Sequence, residues 1–192
     1  MISATPERFP SRRGNKLISQ PIKGTSSRKK NPERDQQLKT ELLKDEKERA
    51  ENVMIVDLVR KDLTKSAKAG TVKVEELFGV YSFPQVHQMI STITGEVKEG
   101  VDLAAILQAT FPMGSMTGAP KRKVMQLIEQ YESTKRGIYS GAVGYISPEK
   151  DFDFNVVIRS ILYNAKEKYL GYLVGGGITA YSEPENEDEE CL

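Results

Sequence analysis

Residues 33–68 contain neither proline nor glycine, and apolar side chains return through them at helical intervals: Leu38, Leu42, Val53, Val56, Val59 and Leu63. Asn31 stands where an N-cap belongs, and Pro32 occupies a favourable first helical position. Gly70 closes the segment. This stretch is one long helix or two abutting ones, and a helix of that length needs a sheet or other helices to cover its apolar stripe. Residues 44–52 are nearly all charged, which in a helix is usually no more than a solvated face.

The rest of the chain alternates between strand and helix signals. Residues 1–5 are strand-like. Residues 16–20 (KLISQ) form a short strand ending at Pro21, followed by a polar loop over 24–31. Residues 72–76 and 86–97 read as strands. Asp102 caps a helix running to Thr110, which Phe111-Pro112 stops. Thr117 or Gly118 can cap a further helix over 121–132, with Pro120 in its first turn and Val124, Leu127, Ile128 and Tyr131 on one stripe. Residues 139–147, 152–163 and 169–174 are three strands joined by short turns at 148–151 and 164–168. The expected class is α+β, with antiparallel sheets rather than a parallel βαβ repeat.

Composition narrows the chemistry. The 28 basic and 27 acidic residues nearly cancel, unlike the clear basic excess of a dedicated nucleic-acid binder. The ends differ, however: ten basic residues stand against three acidic ones through Lys39, and the last ten residues hold six acids and no base. Such segments are often solvated, but they also suit an anionic substrate and a cation. Cys191 is the lone cysteine and His87 the lone histidine, which excludes a disulfide framework, a thiolate zinc site and a multi-histidine metal site. No apolar run is long enough to span a membrane. The opening residues lack a basic region leading into an apolar one, and a cytoplasmic protein is expected.

Four constellations could carry chemistry. Glu48 and Glu51 lie three apart on one helix face, and Glu187 and Glu190 repeat the spacing. Charged helices produce such pairs by chance; as ligands they would suit a hard cation such as Mg²⁺. Gly175, Gly176 and Gly177 follow a strand and could bring backbone N–H groups against an anion, although a mobile turn explains them equally well. Ser115–Lys121 leads hydroxyls into a helix N-terminus, an anion site or an ordinary cap. Lys23, at the end of a strand, could act as a nucleophile when desolvated. Glu7, sixteen residues earlier, could protonate a leaving group. Most lysines do neither. His87, alone in a strand pattern, is more often a core or edge residue than a catalyst.

Taken together, SATPERF, QPIKGT, LLKDEKERAENVMIVDLVRKDL, FPMGSMTGAPK, YSGAVGYIS, VVIRS and GGGITAYSEPENEDEE, spread from Ser3 to Glu190, resemble the motifs of the chorismate-utilising enzymes in order and in length. That family includes component I of anthranilate synthase, component I of aminodeoxychorismate synthase, and the isochorismate and salicylate synthases. The resemblance implies antiparallel sheets packed as a sandwich flanked by helices. It also implies that the 192 residues are an incomplete C-terminal chorismate-binding domain, truncated at both ends. Glu51 and Glu190 would be the main Mg²⁺ ligands, with Glu48 and Glu187 beside them or holding metal-bound water. Arg159, Tyr139 and the amides of Gly175 and Gly177 would hold the enolpyruvyl carboxylate, Gly176 between them would belong to the substrate-binding run, and Ser115 and His87 would lie near the ring. Asn52 stands where many relatives carry histidine.

Position 23 divides the family. Anthranilate synthases carry alanine in the motif P-I-A-G-T, whereas aminodeoxychorismate synthases often carry lysine, as here. The implied reaction has Lys23 attacking ring carbon 2 while the carbon 4 hydroxyl leaves with a proton from Glu7. Ammonia from a separate glutamine amidotransferase subunit then adds at carbon 4. The product is the precursor of p-aminobenzoate and folate. Anthranilate synthase component I is the alternative. Neither nucleic acid nor membrane is expected as a partner.

Overall fold

A computed structural model describes residues 1–179, 182–189 and 191. The helical stretch is two helices, α1 (Pro32–Lys44) and α2 (Glu46–Ser66). Asp45 separates them. Its backbone is extended (φ −64°, ψ 115°), its N–H closes α1 on Leu42, and its carboxylate accepts from the Glu48 N–H to open α2. Asn31 caps α1 through the Arg34 N–H, as expected. Asp102 caps α3 (Leu103–Thr110) through Ala105. The N-cap of α4 (Lys121–Tyr131) is Pro120 rather than Thr117 or Gly118, and the Thr117 hydroxyl bonds back to Met113 O instead. Lys121, its first residue, ties it to α2 by an ion pair with Asp62 and to the preceding loop by a bond to Pro112 O. A short helix, α5 (Pro184–Glu189), follows near the end.

Among the described residues every strand pair is antiparallel. The small sheet holds β1 (Ile2–Ser3), β9 (Ser160–Asn164) and β10 (Tyr169–Gly171), with β9 central. The large one contains β2 (Arg8–Arg13), β3 (Lys16–Gln20), β4 (Ile22–Ser27), β5 (Lys73–Ser82), β6 (Val86–Glu96), β7 (Ala142–Ile146) and β8 (Phe152–Val156). Along one side of β6, β3 pairs with its second half and β4 with its first, with Pro21 at the bend between them; β5 covers the other side. The expected α+β class with antiparallel sheets and helices is what the chain forms. Among the described residues no helix is long and apolar enough to cross a membrane.

Three strand expectations are corrected. Residues 8–13 form β2, which was not foreseen. The expected loop at 24–31 is strand as far as Ser27, because β6 supplies partners for it. The expected strand 152–163 is interrupted: Arg159 takes the left-handed conformation (φ 49°), so the chain leaves β8 in the large sheet and enters β9 in the small one.

The core lies where α2 and α3 cover the large sheet. Leu17, Val56, Leu63, Ile93, Val97, Ile106 and Phe152 form one buried cluster, and Phe9, Met113 and Val156 a second. The α2 residues Asn52, Ile55, Val56, Asp62, Leu63 and Ser66 are buried at helical spacing. On α4, by contrast, no residue is fully buried: Tyr131 is 75% exposed, and Val124 and Ile128 line an open cleft rather than the core.

Candidate active site

That cleft, about 1000 Å³ in volume, is where the chemistry-bearing residues meet. Glu7, Lys23, Glu48, Glu51, Ser115, Tyr139, Arg159, Gly175, Gly176, Gly177 and Glu187 all line it. They come from distant parts of the chain, and local structure explains how each arrives. Glu7 sits just before β2, its carbonyl accepting from the Val156 N–H. Lys23 projects from a register shift in β4 between Ile22 and Thr25, where Gly24 takes φ 91°. A bulge of this kind re-aims a side chain, and the positive φ favours glycine. Glu48 and Glu51 lie in the first turns of α2, Glu187 on α5, and Arg159 at the break between the two sheets. An arginine in the left-handed region costs on the order of 1 kcal/mol or more. Such outliers concentrate at functional sites.

The glycine run is in close contact with the charged groups. A Cβ on Gly175 would stand 3.1 Å from the Tyr139 hydroxyl, and one on Gly176 would stand 2.7 Å from a Glu187 carboxylate oxygen. One on Gly177 would lie 3.0 Å from Lys23 Nζ and 3.6 Å from Glu51 Oε2. Three successive residues therefore face three different parts of the site, which is possible because none has a side chain.

The charges are paired across elements. Lys23 Nζ lies 3.7 Å from Glu51 Oε2, and Lys47 Nζ lies 3.5 Å from Glu187 Oε1. The Ser182 hydroxyl, followed by the Lys47 charge, holds the Glu187 carboxyl below its ordinary range. Glu7 behaves oppositely. It is 6% exposed, and burial pushes its pKa from 4.5 up to about 7, against the opposing pull of Ser115, Lys23 and Arg159. A carboxyl poised there is a competent proton donor near neutrality. Burial also raises Tyr139.

One expected residue is not part of this grouping. His87 is 1% exposed and does not line the cleft. Its Nδ1 pairs with the Ser82 hydroxyl at 2.9 Å and its Nε2 with Asp35 at 3.2 Å, so within this chain it is a buried structural histidine rather than one beside a ring. Glu190 lies outside the described residues. Among those described, no three His, Cys, Asp or Glu side chains stand close enough to enclose a metal ion. Conversely, Lys47 and Arg136 line the cleft without having been singled out, because neither belongs to a periodic pattern or a spaced pair.

The family described as chorismate binding enzymes matches residues 1–192. The chain belongs to that family. It is 44% identical over its whole length to the chloroplastic aminodeoxychorismate synthase of Arabidopsis thaliana, of which it covers 21%. It is 41% identical, again over its whole length, to anthranilate synthase component 1 of Aquifex aeolicus, of which it covers 38%. The crystal structure of anthranilate synthase component I from Streptococcus pneumoniae superposes with a TM-score of 0.85 at 34% identity, over 99% of this chain and 41% of that one. The chain thus spans about a fifth to two fifths of the length of these chorismate binding relatives.

Proposed function

We propose that this chain forms the chorismate cleft of an aminodeoxychorismate synthase component I, working within a longer polypeptide and fed with ammonia by a glutamine amidotransferase subunit. The observation that carries the reading is the placement of Lys23, a potential nucleophile, in one cleft with the protonatable Glu7 and with Arg159. Relatives of both the aminodeoxychorismate and the anthranilate type stand at similar identity, and the lysine in the P-I-K-G-T motif is what supports the former.

In this scheme the Lys23 amine bonds to ring carbon 2, both ring double bonds shift, and the carbon 4 hydroxyl leaves as water with the Glu7 proton. Ammonia then bonds to carbon 4, both double bonds return, and the lysine amine is released. The sum is chorismate plus ammonia giving 4-amino-4-deoxychorismate plus water. Arg159 has no ion-pair partner among the described residues, which suits it to grip a substrate carboxylate, with Tyr139 and the glycine amides completing the seat.

The donor chemistry of the cleft, though not a closed ligand cluster among the described residues, is of the kind a Mg²⁺ ion takes. Glu48, Glu51 and Glu187 offer only hard oxygen atoms to the cleft, and two of the three carboxylates already stand beside ammonium groups. These residues, with Glu190, would hold the ion, which would neutralise and orient the ring carboxylate. Gly176→Ala drives a methyl group into the Glu187 carboxylate, and the apparent Mg²⁺ affinity is expected to fall about tenfold. Titration of the complete enzyme with MgCl₂ checks this.

Arg159→Lys keeps the charge but loses the two-pronged grip. The loss of about 2–3 kcal/mol predicts a Michaelis constant for chorismate raised roughly 30–150-fold. A constant within threefold of the parent would contradict the assignment. The reading as a whole is tested by incubating the complete protein with chorismate, ammonium and Mg²⁺ and identifying the product. A 4-amino adduct retaining the enolpyruvyl group supports it, whereas direct release of fluorescent anthranilate overturns it.

A further inference from the structure

Two arginines line the cleft, Arg136 and Arg159, and their hydrogen bonds separate their roles. The Arg136 guanidinium is already engaged on three sides. Its Nε and Nη2 donate to the Glu132 carboxylate at 2.9 and 2.6 Å, a bidentate pair across the bend that follows α4. Its Nη1 donates to Met116 O at 2.7 Å and to the Ser140 hydroxyl at 3.1 Å. Its own carbonyl accepts from the Tyr139 N–H at 3.0 Å, closing the turn that presents Tyr139.

We infer that Arg136 is a positioning residue for the substrate site, locking the turn that carries Tyr139 against the 3₁₀ turn Gly114–Met116 that carries Ser115. With most of its donors used inside the protein, it does not grip the ligand. One planar group instead spans two loops that share no strand or helix. The Ser140 end of the span is itself constrained: Ser140 is buried, takes φ 65°, and its N–H donates to Val157 O at 2.9 Å. Moving Arg136 therefore moves both walls of the cleft. Glu132 fixes the guanidinium plane from the end of α4, so the two residues act as a unit. A lysine could reach one acceptor but could not span the carboxylate, the carbonyl and the hydroxyl together.

The inference rests on reading the cleft as a chorismate site. The test uses the complete enzyme and compares Arg136→Lys, Glu132→Gln, Tyr139→Phe and the doubles that combine Tyr139→Phe with each of the first two. Arg136→Lys is expected to raise the Michaelis constant for chorismate about tenfold or more, and Glu132→Gln about threefold. The discriminating readout is coupling. In either background Tyr139→Phe should cost much less than it does in the parent, because its hydroxyl is already displaced. Additive costs, or an unchanged Michaelis constant, would overturn the role of Arg136. If Arg136→Lys fails to fold, Glu132→Gln and its double with Tyr139→Phe decide the matter alone. A parent enzyme that does not consume chorismate overturns the reading of the cleft, whereas normal parent turnover with additive variants overturns only the positioning role.

Discussion

Lys23→Ala is expected to abolish amination at ring carbon 4, with a loss on the order of 1,000-fold or more, the scale seen when a covalent nucleophile is removed. The rest of the cleft survives the change. Arg159, Tyr139 and the glycine run do not depend on this amine, so chorismate should still bind. The truncation also restores the string P-I-A-G-T, and ammonia or water could then reach carbon 2 directly; traces of a carbon 2 product, anthranilate among them, are expected in place of the 4-amino product. A direct check is mass spectrometry of the parent with chorismate and no ammonia. A substrate-sized adduct on the peptide holding Lys23 is expected under single-turnover trapping. No adduct, combined with an undiminished yield from Lys23→Ala, would make Lys23 an electrostatic neighbour of Glu51 and nothing more.

Glu7→Gln should separate activity from stability. Losing the proton donor is expected to cost roughly 10²–10⁴-fold in turnover. In the parent, kcat/KM should fall as pH rises through about 7, where Glu7 gives up its proton. Stability moves in a related direction. The folded protein holds the Glu7 proton more tightly than the unfolded chain, whose carboxyl titrates near 4.5. Burying the neutral acid therefore carries no ionisation penalty below about pH 4.5, and the penalty grows until about pH 7 and persists above it. The shift corresponds to about 3 kcal/mol. Glutamine cannot ionise, so the variant should resist urea better than the parent at pH 8 and match it near pH 4. Equal denaturation midpoints at both pH values would show that Glu7 is not held in this environment.

Part of this structure could be read directly from residue types. The caps at Asn31 and Asp102, the buried stripe of α2 and the break signal at Phe111-Pro112 are local, and local rules found them, whereas α2 stops at Ser66, short of Gly70, because Ala67 bridges Val97. Strand limits were less legible, because a strand is completed by partners elsewhere. Arg8–Arg13 has little alternation of its own and becomes β2 by lying between β3 and β8. Nothing about arginine announces the left-handed turn at position 159 that ends one sheet and starts the other. The apolar stripe of α4 was legible as a stripe, but not as the wall of a cleft.

The site was legible mainly through whole motifs. Spacing alone could place Glu48 beside Glu51, yet it could not bring Glu7, Arg159 and Gly177 to the same place. It also gave no reason to notice Arg136, whose significance lies in the loops it joins, or to seat His87 between Ser82 and Asp35.

The pairing of β2 with β8, fastened by Arg8 and Arg13 on the two oxygens of Asp153 at 2.9 and 2.8 Å, has a consequence for the order of events during folding. It joins the beginning of the chain to its last third, and such closures are slow because the intervening loop must be immobilised before any contact rewards it. Glu7 and Lys23 leave the ribosome long before Arg159 and the glycines exist. The helices α1 and α2 and the β5–β6 hairpin can consolidate in the meantime, but the cleft is divided between the two sides of that late seam. The cleft is therefore closed only after both sides of that seam have been made, and a chain stalled before Phe152 can be well structured and still lack one wall of it.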